Sequence, residues 1–497
     1  MAQLSRAALA ATPGLAGHLI GASAPERTGI VHLGLGNFHR AHAAVNTALA
    51  LAAEPGDWGI VGVANRSHKV TDALASQDFL YSVVTLDPEH RDVGVVDVHR
   101  RVLVAADDGP EVVAAIADPA HRIVTLTISE VGYHLDARTN ELRTDSPDIA
   151  ADLADDGVVP RTPLAQLCFG LRRRYSEGGA PVTVLSCDNL LSAGNTTRSA
   201  VVQFLTAAGA EPGLLAWLDG SVTFPNAMVD RIVPAPTDAT RAAAAEALGA
   251  EDACPVPAEL FTMWVIEDRF AAGRPRWEAA PGVIFSDEVE KYELVKLRLL
   301  NGGHSLIAYL GGLDRRETIP ESRSQEFVEA CVRAALVNEY LPSIDLPQGF
   351  DPDAYVEQLF ARWNNTVLGD KTARVGSDGS TKLLQRVPIP AVRLLGAGAV
   401  PHQLALTVAG WICCVCPPVG FDPGPVAAAM VEPKLDALRA ATADATDVDA
   451  HVAAILRGGF FPDDLVAHDA FVARVTELVR LIVTDGVRAA AADALAS

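Results

Sequence analysis

The chain has 497 residues, a length that predicts two or three domains rather than one hydrophobic core. Hydrophobic residues make up 49% of the sequence and charged residues 21%, as expected of a globular protein. The formal net charge of −22 argues against nucleic-acid binding, because such binding is driven by basic surfaces that meet phosphate. No run reaches the roughly 18 consecutive apolar residues of a membrane span, so we expect no membrane partner.

The N-terminal segment, residues 1–29, contains an apolar stretch but no basic leader followed by an apolar core. We therefore do not interpret it as a signal peptide, and we expect a cytoplasmic protein.

The seven cysteines are odd in number and irregularly spaced, which argues against a disulfide framework. The sequence CCVC at 413–416 has no second cysteine pair and no nearby histidine cluster. We interpret it as part of a buried helix after Trp411 rather than as a zinc site.

Strand-like and helix-like segments alternate through the first half of the chain. The predicted strands are GIVHLGLGNF (29–38), WGIVGVA (58–64), HRIVTLTISEVGY (121–133) and APVTVLSCDN (180–189). The predicted helices are AHAAVNTALALAA (41–53), SHKVTDALASQ (67–77) and PLAQLCFGLRRRYSE (163–177). This alternation predicts a parallel sheet covered by helices. The segment DVGVVDVHRRVLVA (92–105) alternates like a β-hairpin and predicts an antiparallel addition.

The pattern changes near residue 286, after which helical periodicity dominates. The predicted helices there are 287–301, 324–341, 425–441, 447–457 and 468–495. We therefore predict a boundary near 285, with a domain at 1–285 that contains the sheet and an α-helical domain at 286–497.

A glycine loop follows the first predicted strand. Gly34 and Gly36 stand between that strand and the next helix, where they permit a tight turn and a close approach of the backbone to a pyrophosphate. His39 occupies the position of the third glycine of the GxGxxG fingerprint, so a turn without a ligand is an alternative. Arg66 follows the second strand, where NAD-binding domains often carry an acidic residue. Arg66 suits the 2′-phosphate of NADP, and a solvated loop arginine is the alternative.

The segment 296–305, KLRLLNGGHS, sets Lys296, Asn301 and His304 beside a leucine run. Its Asn-Gly-Gly triplet is typical of a helix C-terminus, so a simple helix end is one interpretation. At about 100° per residue, Glu293 and His304 lie roughly 60° and 80° around a helix from Lys296. Asn301 lies roughly 140° around, so one helix face could present all four side chains to a cleft. The two glycines would then allow close approach of substrate or backbone.

Eight motifs carry a resemblance to a known family. They are GLGNFHRAH at 34, SQDFLYSVV at 76, TLTISEVGY at 125, SCDN at 186, FPNAMVDRIVP at 224, WVIEDRFAAGRPRWE at 264, YELVKLRLLNGGHS at 292 and DGSTK at 378. In this order they resemble the mannitol dehydrogenase family, the long-chain polyol-specific dehydrogenases and reductases. The motifs span most of the chain, and together they are specific although each alone is weak.

The resemblance implies an α/β fold class, with a Rossmann-like NAD(P)-binding domain at 1–285 and a mostly α-helical substrate and catalytic domain at 286–497. Family members use NAD or NADP and no metal, and they interconvert the alcohol of a polyol or sugar acid with a ketone. NAD-preferring members often carry an aspartate after the second strand, and its absence here makes NADP an alternative. We lean to NAD because some relatives that act on sugar acids have a short basic turn there and still use NAD. The expected partner is a small polyol or sugar acid, and the oligomeric state stays open.

The resemblance also implies the catalytic roles. Lys296 matches the general base, a role that requires burial to lower the pKa of a lysine towards neutrality. Asn189 and Asn301 match an oxyanion hole, since amides donate hydrogen bonds without titrating. His304 matches a substrate-orienting histidine, and Glu293 a glutamate linked to proton passage between the lysine and solvent.

Further residues of the resemblance concern substrate and cofactor. Asp230 matches an aspartate that contacts substrate hydroxyls, although alone it reads as a loop or capping residue. Arg374 and Lys382 match cations near the substrate, and surface charge is their alternative. The predicted cofactor-binding residues are Gly34, Gly36, Asn37, Phe38 and Arg66.

The leading functional hypothesis is an enzyme that interconverts D-mannitol and D-fructose with Lys296 as base. Alternatives within the family are a fructuronate reductase that makes mannonate, an arabinitol dehydrogenase and a mannitol-phosphate dehydrogenase. A non-catalytic dinucleotide-binding sensor is the alternative of another class. It is disfavoured because a sensor has no use for the base.

Overall fold

The computed structural model describes residues 2–21, 24–136, 139–154 and 159–497. The chain divides into two compact units, Met1–Glu290 and Lys291–Ser497. Within the described ranges, none of the helices combines the length and the apolar character needed to cross a bilayer.

The N-terminal unit holds the β-strands together with helices that cover them. The strands are β1 (Ala2–Gln3), β2 (Thr28–Leu33), β3 (Gly59–Ala64), β4 (Tyr81–Leu86), β5 (Val93–Val96), β6 (His99–Val104), β7 (Ile123–Leu126), β8 (Val182–Ser186), β9 (Val222–Thr223), β10 (Ala227–Asp230), β11 (Ala250–Glu251), β12 (Val256–Glu259), β13 (Met263–Ile266) and β14 (Val283–Phe285). The helices are α1 (Arg6–Ala11), α2 (Pro13–Ala16), α3 (Asn37–Ala41), α4 (Ala43–Ala53), α5 (Lys69–Ser76), α6 (Ala105–Ala117), α7 (Pro147–Ala154), α8 (Pro163–Ser176), α9 (Ala193–Ala207), α10 (Pro212–Ser221) and α11 (Asp238–Leu248).

The central sheet has six parallel strands in the order β6-β3-β2-β7-β8-β9. The predicted parallel sheet is confirmed. From β2 the chain builds outward to β3 and β6 on one side, and β7, β8 and β9 extend the sheet on the other. The gap between β2 and β7 is therefore the switch point, where doubly wound sheets bind ligands beyond the carboxyl ends of their strands.

Both faces of the central sheet are buried, which explains why its strands read as nearly continuous apolar runs. Successive side chains point to opposite faces, so Ile30 joins one apolar cluster and Val31 the other. Ile123 and Val124 divide in the same way on β7. Helices α6, α8 and α9 cover one face, and α4 with Trp264 covers the other.

Two sequence predictions in this unit are wrong in detail. The segment 92–105 is not a hairpin, because β5 pairs antiparallel with β4 while β6 joins the central sheet parallel to β3. The predicted strand 121–133 is strand only over Ile123–Leu126, and Glu130–Tyr133 forms a 3₁₀ turn. Period-two alternation reports a half-buried strand and does not reveal its partner.

The C-terminal unit consists of helices and the loops that join them, and its described residues form no β-strand. Its helices, counted from the connecting helix, are α12 (Val289–Val295), α13 (Gly303–Leu313), α14 (Ile319–Arg323), α15 (Glu326–Ala334), α16 (Pro352–Trp363), α17 (Thr372–Gly376), α18 (Gly379–Arg386), α19 (Pro388–Gly396), α20 (His402–Val415), α21 (Gly424–Ala428), α22 (Leu435–Ala441), α23 (Val448–Ile455), α24 (Asp463–Val466), α25 (Asp469–Asp485) and α26 (Val487–Ala496). Segments of π-helix follow α12, α15 and α23, over Lys296–Gly302, Ala335–Tyr340 and Leu456–Phe460. Helix α20 is buried along most of its length, and it contains Cys413 and Cys414 as the sequence predicts.

The predicted helix end at Asn301 is wrong. Helix α12, the π-turn Lys296–Gly302 and helix α13 form one continuous helix. The glycines serve packing instead: a Cβ on Gly302 would lie 2.6 Å from Cζ of Tyr340. A Cβ on Gly303 would lie 2.6 Å from Cη2 of Trp363. The predicted approach of substrate or backbone to these glycines is therefore replaced by the approach of two aromatic rings.

Gly303→Ala is expected to lower the free energy of unfolding by roughly 1–3 kcal/mol, because the methyl group would overpack the Trp363 contact. Gly396→Ala is the matched control at the end of α19, where no described atom lies within 4 Å of the added Cβ. The control is expected to change stability by less than about 0.5 kcal/mol. Thermal and urea unfolding of both variants checks this, and equal stabilities would contradict the packing role.

Candidate active site

The predicted cofactor loop lies at the switch point of the central sheet. Gly34 directly follows β2 with φ +101°, and a Cβ there would sit 2.1 Å from the main-chain oxygen of Thr127, which directly follows β7. The Thr127 hydroxyl donates to the Gly34 carbonyl at 2.7 Å. Only glycine fits this position, because both the left-handed conformation and the close approach exclude a side chain.

Gly36 has a different environment from Gly34. It is exposed at the start of helix α3, with φ −103°, and the nearest atom to an added Cβ is the Gly34 oxygen at 3.7 Å. The described contacts leave room for a Cβ there, so they do not by themselves require a glycine.

Asn37 and Phe38 follow in helix α3. The Asn37 amide oxygen accepts a hydrogen bond from Nη2 of Arg40 at 2.7 Å, and the Phe38 ring stacks on His42. Both side chains are half-buried. Both side chains therefore make their contacts with other residues of the N-terminal unit.

His39, at the third-glycine position, packs against the strand that precedes the loop. Its ring stacks on His32 of β2 with centroids 3.4 Å apart, and its Nε2 lies 3.1 Å from Nε2 of His99 on β6. Burial lowers the pKa of His32 and of His99 to about 3, so these rings are neutral in the working range. The close helix–strand contact made by the fingerprint glycine is here a stack of neutral imidazoles.

Arg66 lies just beyond the carboxyl end of β3, next to β2 in the sheet. Its side chain is 69% exposed, and its guanidinium stands 3.5 Å from the Asp148 carboxylate. An exposed pair of this kind holds the arginine weakly, so it can turn towards a ligand.

Asp188, which sequence reasoning did not single out, ties together the loops after β7 and β8. Its carboxylate accepts hydrogen bonds from the backbone of Ile128 at 3.1 Å and Ser129 at 2.7 Å, and from the Tyr133 hydroxyl at 2.8 Å. Burial raises the pKa of Asp188, and these hydrogen bonds act in the opposite direction. Asn189 follows directly and is exposed. The signal in the sequence was an aspartate next to the predicted oxyanion-hole residue at the end of a buried strand.

Asp230 is buried at the end of β10, where it pairs with Met263 of β13. Its neighbours in the FPNAMVDRIVP motif have structural contacts. The Asn226 side chain accepts from the backbone of Gly194 at 2.9 Å near the start of α9, and Arg231 donates to the Glu259 main-chain oxygen at 3.0 Å. The motif therefore combines supporting residues with one buried carboxylate.

The remaining catalytic candidates lie on the continuous helix of the C-terminal unit. Glu293 is buried, and Lys296, Asn301 and His304 are half-buried. The angles expected for a regular α-helix do not apply, because Lys296–Gly302 is π-helix with i→i+5 hydrogen bonds.

The π-turn improves the alignment. If it counts as one inserted residue, Asn301 takes the place of a residue four positions after Lys296, and His304 that of a residue seven positions after it. Glu293 lies three positions before Lys296. Positions i−3, i, i+4 and i+7 share one stripe of a helix, so the four side chains fall on the same face.

Arg374 and Lys382 frame the start of helix α18. Arg374 is exposed and paired with Asp370. The Lys382 ammonium donates to the Ser377 carbonyl at 2.7 Å, and burial, followed by the charge of Arg386, lowers the pKa of Lys382. Both cations belong to the C-terminal unit, as do the four residues of the helix stripe.

In the part of the chain that the structure describes, no group of three His, Cys, Asp or Glu side chains is placed to hold a metal ion. The seven cysteines are free, and Cys413 and Cys414 are buried thiols with raised pKa values. The chemistry available from the described side chains is proton transfer by a half-buried lysine and hydrogen bonding by neutral amides.

Comparisons with known proteins cover both units. Residues 28–279 match the model of the mannitol dehydrogenase Rossmann domain, and residues 288–483 match that of the mannitol dehydrogenase C-terminal domain. D-mannonate oxidoreductase of Escherichia coli (strain K12) is 36% identical over 463 residues, which cover 92% of this chain and 94% of that protein. Mannitol 2-dehydrogenase of Phaeosphaeria nodorum is 35% identical over 468 residues, which cover 93% of this chain and 80% of that protein.

A solved structure is similar over the whole length. The Pseudomonas fluorescens mannitol 2-dehydrogenase, in a ternary complex with NAD and D-mannitol, aligns over 100% of both chains with a TM-score of 0.82 and 31% identity. Together with the two domain matches, this similarity establishes the family. The chain therefore belongs to the mannitol dehydrogenase family and is an oxidoreductase that acts on CH–OH groups.

Proposed function

We propose that this enzyme interconverts D-mannitol and D-fructose with NAD and uses Lys296 as the general base. The observation that carries the proposal is the π-turn Lys296–Gly302, whose extra residue is expected to bring Glu293, Lys296, Asn301 and His304 towards one helix face. Relatives named mannitol 2-dehydrogenase share most of the chain, and one of them was solved with NAD and D-mannitol.

Oxidation of a secondary alcohol removes a hydroxyl proton and a hydride. A bound nicotinamide cofactor would supply the hydride acceptor. Lys296 in its neutral form takes the hydroxyl proton at Nζ, and the amides of Asn189 and Asn301 donate hydrogen bonds to the developing alkoxide. His304 orients the substrate, Asp230 accepts from its hydroxyls, and Glu293 passes the proton from Lys296 towards solvent.

The residues of the cofactor loop fit a dinucleotide. Gly34 brings the backbones after β2 and β7 together, and the space beside Gly36 is not filled by the protein. A pyrophosphate can approach that backbone, and Asn37 and Phe38 form the next part of the loop. We propose NAD as the main cofactor, with NADP accepted through Arg66, because an exposed arginine after β3 can bind a 2′-phosphate.

Reduction of a sugar acid such as fructuronate, to yield mannonate, is the second candidate. It is favoured by the cations Arg374 and Lys382 in the C-terminal unit and by the similarity to D-mannonate oxidoreductase. A carboxylate on the substrate would pair with one of these cations, whereas mannitol carries no charge. The choice between the two substrates is made by assay.

Nicotinamide absorbance with a panel of polyols, ketoses and sugar acids, run with both cofactors, tests the function. We expect turnover of D-mannitol with NAD, and Lys296→Ala should lose roughly 10² to 10⁴ in turnover while it still binds nucleotide. The wild-type oxidation rate should rise with pH as the base loses its proton, and the variant should lose this limb. A small exogenous amine should partly restore the rate, in proportion to its basicity.

Lys291→Ala is the matched control, since Lys291 lies on the same helix and pairs with Asp345 at 3.2 Å. It should keep wild-type turnover and pH dependence. A Lys296→Ala enzyme that matched this control would remove Lys296 from the chemistry. Wild-type nucleotide binding without turnover of any panel member would favour the sensor instead.

Gly36→Val tests the cofactor loop. The variant is expected to fold, because Gly36 is exposed and an added Cβ meets the Gly34 oxygen only at 3.7 Å. It should bind NAD at least about tenfold more weakly, which corresponds to a penalty of roughly 1.4 kcal/mol. Calorimetric titration measures the affinity, and unfolding temperature serves as the control. Unchanged affinity in the folded variant would remove Gly36 from the nucleotide site.

Arg66→Ala tests cofactor choice. The loss of affinity should be larger for NADP than for NAD, because only NADP carries a phosphate that the guanidinium can pair with. The difference should shrink at high salt, since the site is exposed. Equal losses for the two cofactors would contradict the assignment.

A further inference from the structure

Arg386, the last residue of helix α18, is bonded to the helix that carries the catalytic stripe. Its Nη1 donates to the main-chain oxygen of Asn301 at 2.9 Å and to Oγ of Ser305 at 2.7 Å. Asn301 lies in the π-turn, and Ser305 lies in the first turn of α13. One guanidinium nitrogen thus bridges the end of the π-turn to the α-helix that follows.

The guanidinium is held without a counterion. Among the described residues, Arg386 has no carboxylate partner. The groups that act on its charge are the hydroxyls of Tyr309 and Tyr340, although burial has the larger effect and lowers the pKa of Arg386. Arg386 is half-buried, and a cation in such a place costs stability unless its hydrogen bonds offset the lost hydration. The cost of this placement therefore points to a role for the two hydrogen bonds that Arg386 makes.

Those hydrogen bonds act where the helix is irregular. A π-turn departs from the regular i→i+4 ladder, and the Gly303 amide lies within hydrogen-bonding distance of both the Leu299 and Leu300 carbonyls. Backbone N–H and C=O groups in such a turn are stabilised by hydrogen-bond partners outside the helix. Arg386 supplies a charged donor to the carbonyl of Asn301, whose side chain the proposed mechanism uses.

Packing encloses the same turn from another direction. The Tyr340 ring occupies the space beside Gly302, where an added Cβ would lie 2.7 Å from its hydroxyl oxygen. Tyr340 is buried, and its hydroxyl has no hydrogen-bond partner in the described structure. The ring sets how closely the turn can be approached, but it donates nothing to the Asn301 carbonyl. Arg386 is a polar partner of this carbonyl from outside the helix.

We propose that Arg386 is a positioning residue for the reaction. It fixes the amide of Asn301 relative to Lys296 by holding the Asn301 carbonyl and the Ser305 hydroxyl in the π-turn geometry. This role rests on the proposed function, in which Asn301 stabilises the alkoxide. Arg386 itself touches neither substrate nor cofactor in this role.

The first test compares Arg386→Met, which keeps the apolar stem, with Arg386→Lys, which keeps the charge but not the planar donor fork. Turnover of Arg386→Met should fall roughly 10- to 100-fold, the range expected when a catalytic group is displaced by about 1 Å. Arg386→Lys should lie between this variant and wild type. NAD affinity should not change, because the cofactor loop belongs to the other unit.

Arg393→Met is the matched control. Arg393 lies on the next helix, α19, and its Nη1 donates to the Ser343 carbonyl at 3.1 Å rather than to the π-turn. Its loss should lower the unfolding temperature without a comparable fall in turnover. Equal falls in turnover for Arg393→Met and Arg386→Met would mean that general loosening of the unit explains both, which overturns the proposal.

A double-mutant cycle with Asn301→Ala separates positioning from structure. The alanine keeps the main-chain carbonyl that Arg386 binds but lacks the amide that is positioned. Arg386→Met should therefore cost less than about threefold in turnover when Asn301 is already alanine, while its effect on unfolding temperature should persist. The same fold-loss in both backgrounds, or wild-type turnover of Arg386→Met, overturns the role.

Two further outcomes are informative. If Arg386→Met does not fold, the cycle is run with Arg386→Lys and read by the same criteria. If the wild-type enzyme turns over no member of the polyol and sugar-acid panel, the proposed function fails and the role of Arg386 fails with it. Normal wild-type turnover with additive losses in the cycle overturns the role of Arg386 alone.

Discussion

The π-turn Lys296–Gly302 depends on close packing of two glycines against two aromatic rings. Gly302 faces Tyr340 and Gly303 faces Trp363, at distances that exclude even a methyl group. Inside a helix each glycine costs roughly 0.5–1 kcal/mol relative to alanine, so its place here is explained by this contact. In the proposed function, the extra residue of the turn aligns Glu293, Lys296, Asn301 and His304 along one stripe of the helix.

In the N-terminal unit, a close glycine contact and side-chain hydrogen bonds hold the loops after β2, β7 and β8. At the switch point of the sheet, Gly34 lets the backbone after β2 touch the backbone after β7, and the Thr127 hydroxyl closes the contact. The Asp188 carboxylate accepts a hydrogen bond from the backbone of Ser129 in the turn after β7, and the adjacent Asn189 is exposed. Stacked neutral histidines take the place of the missing third glycine. Buried hydrogen bonds rather than loop length fix these positions, which suits a site that must hold its shape before ligand arrives.

Neutral groups accept the hydrogen bonds of the half-buried Arg386 and, in the proposed mechanism, donate to the alkoxide. Amides supply hydrogen bonds to the alkoxide in the proposed mechanism. Arg386 donates its hydrogen bonds to a main-chain carbonyl and a serine hydroxyl rather than to a carboxylate. Neighbouring cations and low polarity favour the neutral form of a lysine, which is the form that acts as a base. Lys382 feels this effect, because burial and Arg386 lower its pKa. Cationic surroundings of this kind also suit a substrate carboxylate.

The sequence by itself determined the class of fold, the parallel sheet and the helical C-terminal region, because apolar periodicity reports burial and burial follows secondary structure. It also determined the motifs from which the candidate residues and the family were inferred. Strand partners and the π-turn were decided only by tertiary structure. Alternation cannot say which strand lies alongside, so the hairpin at 92–105 was wrong. A π-turn is rare and has no clear signal in the local sequence. The side chains that contact this turn or Gly303 after it, Tyr340, Trp363 and Arg386, lie far away in the sequence and reach it only in the folded unit.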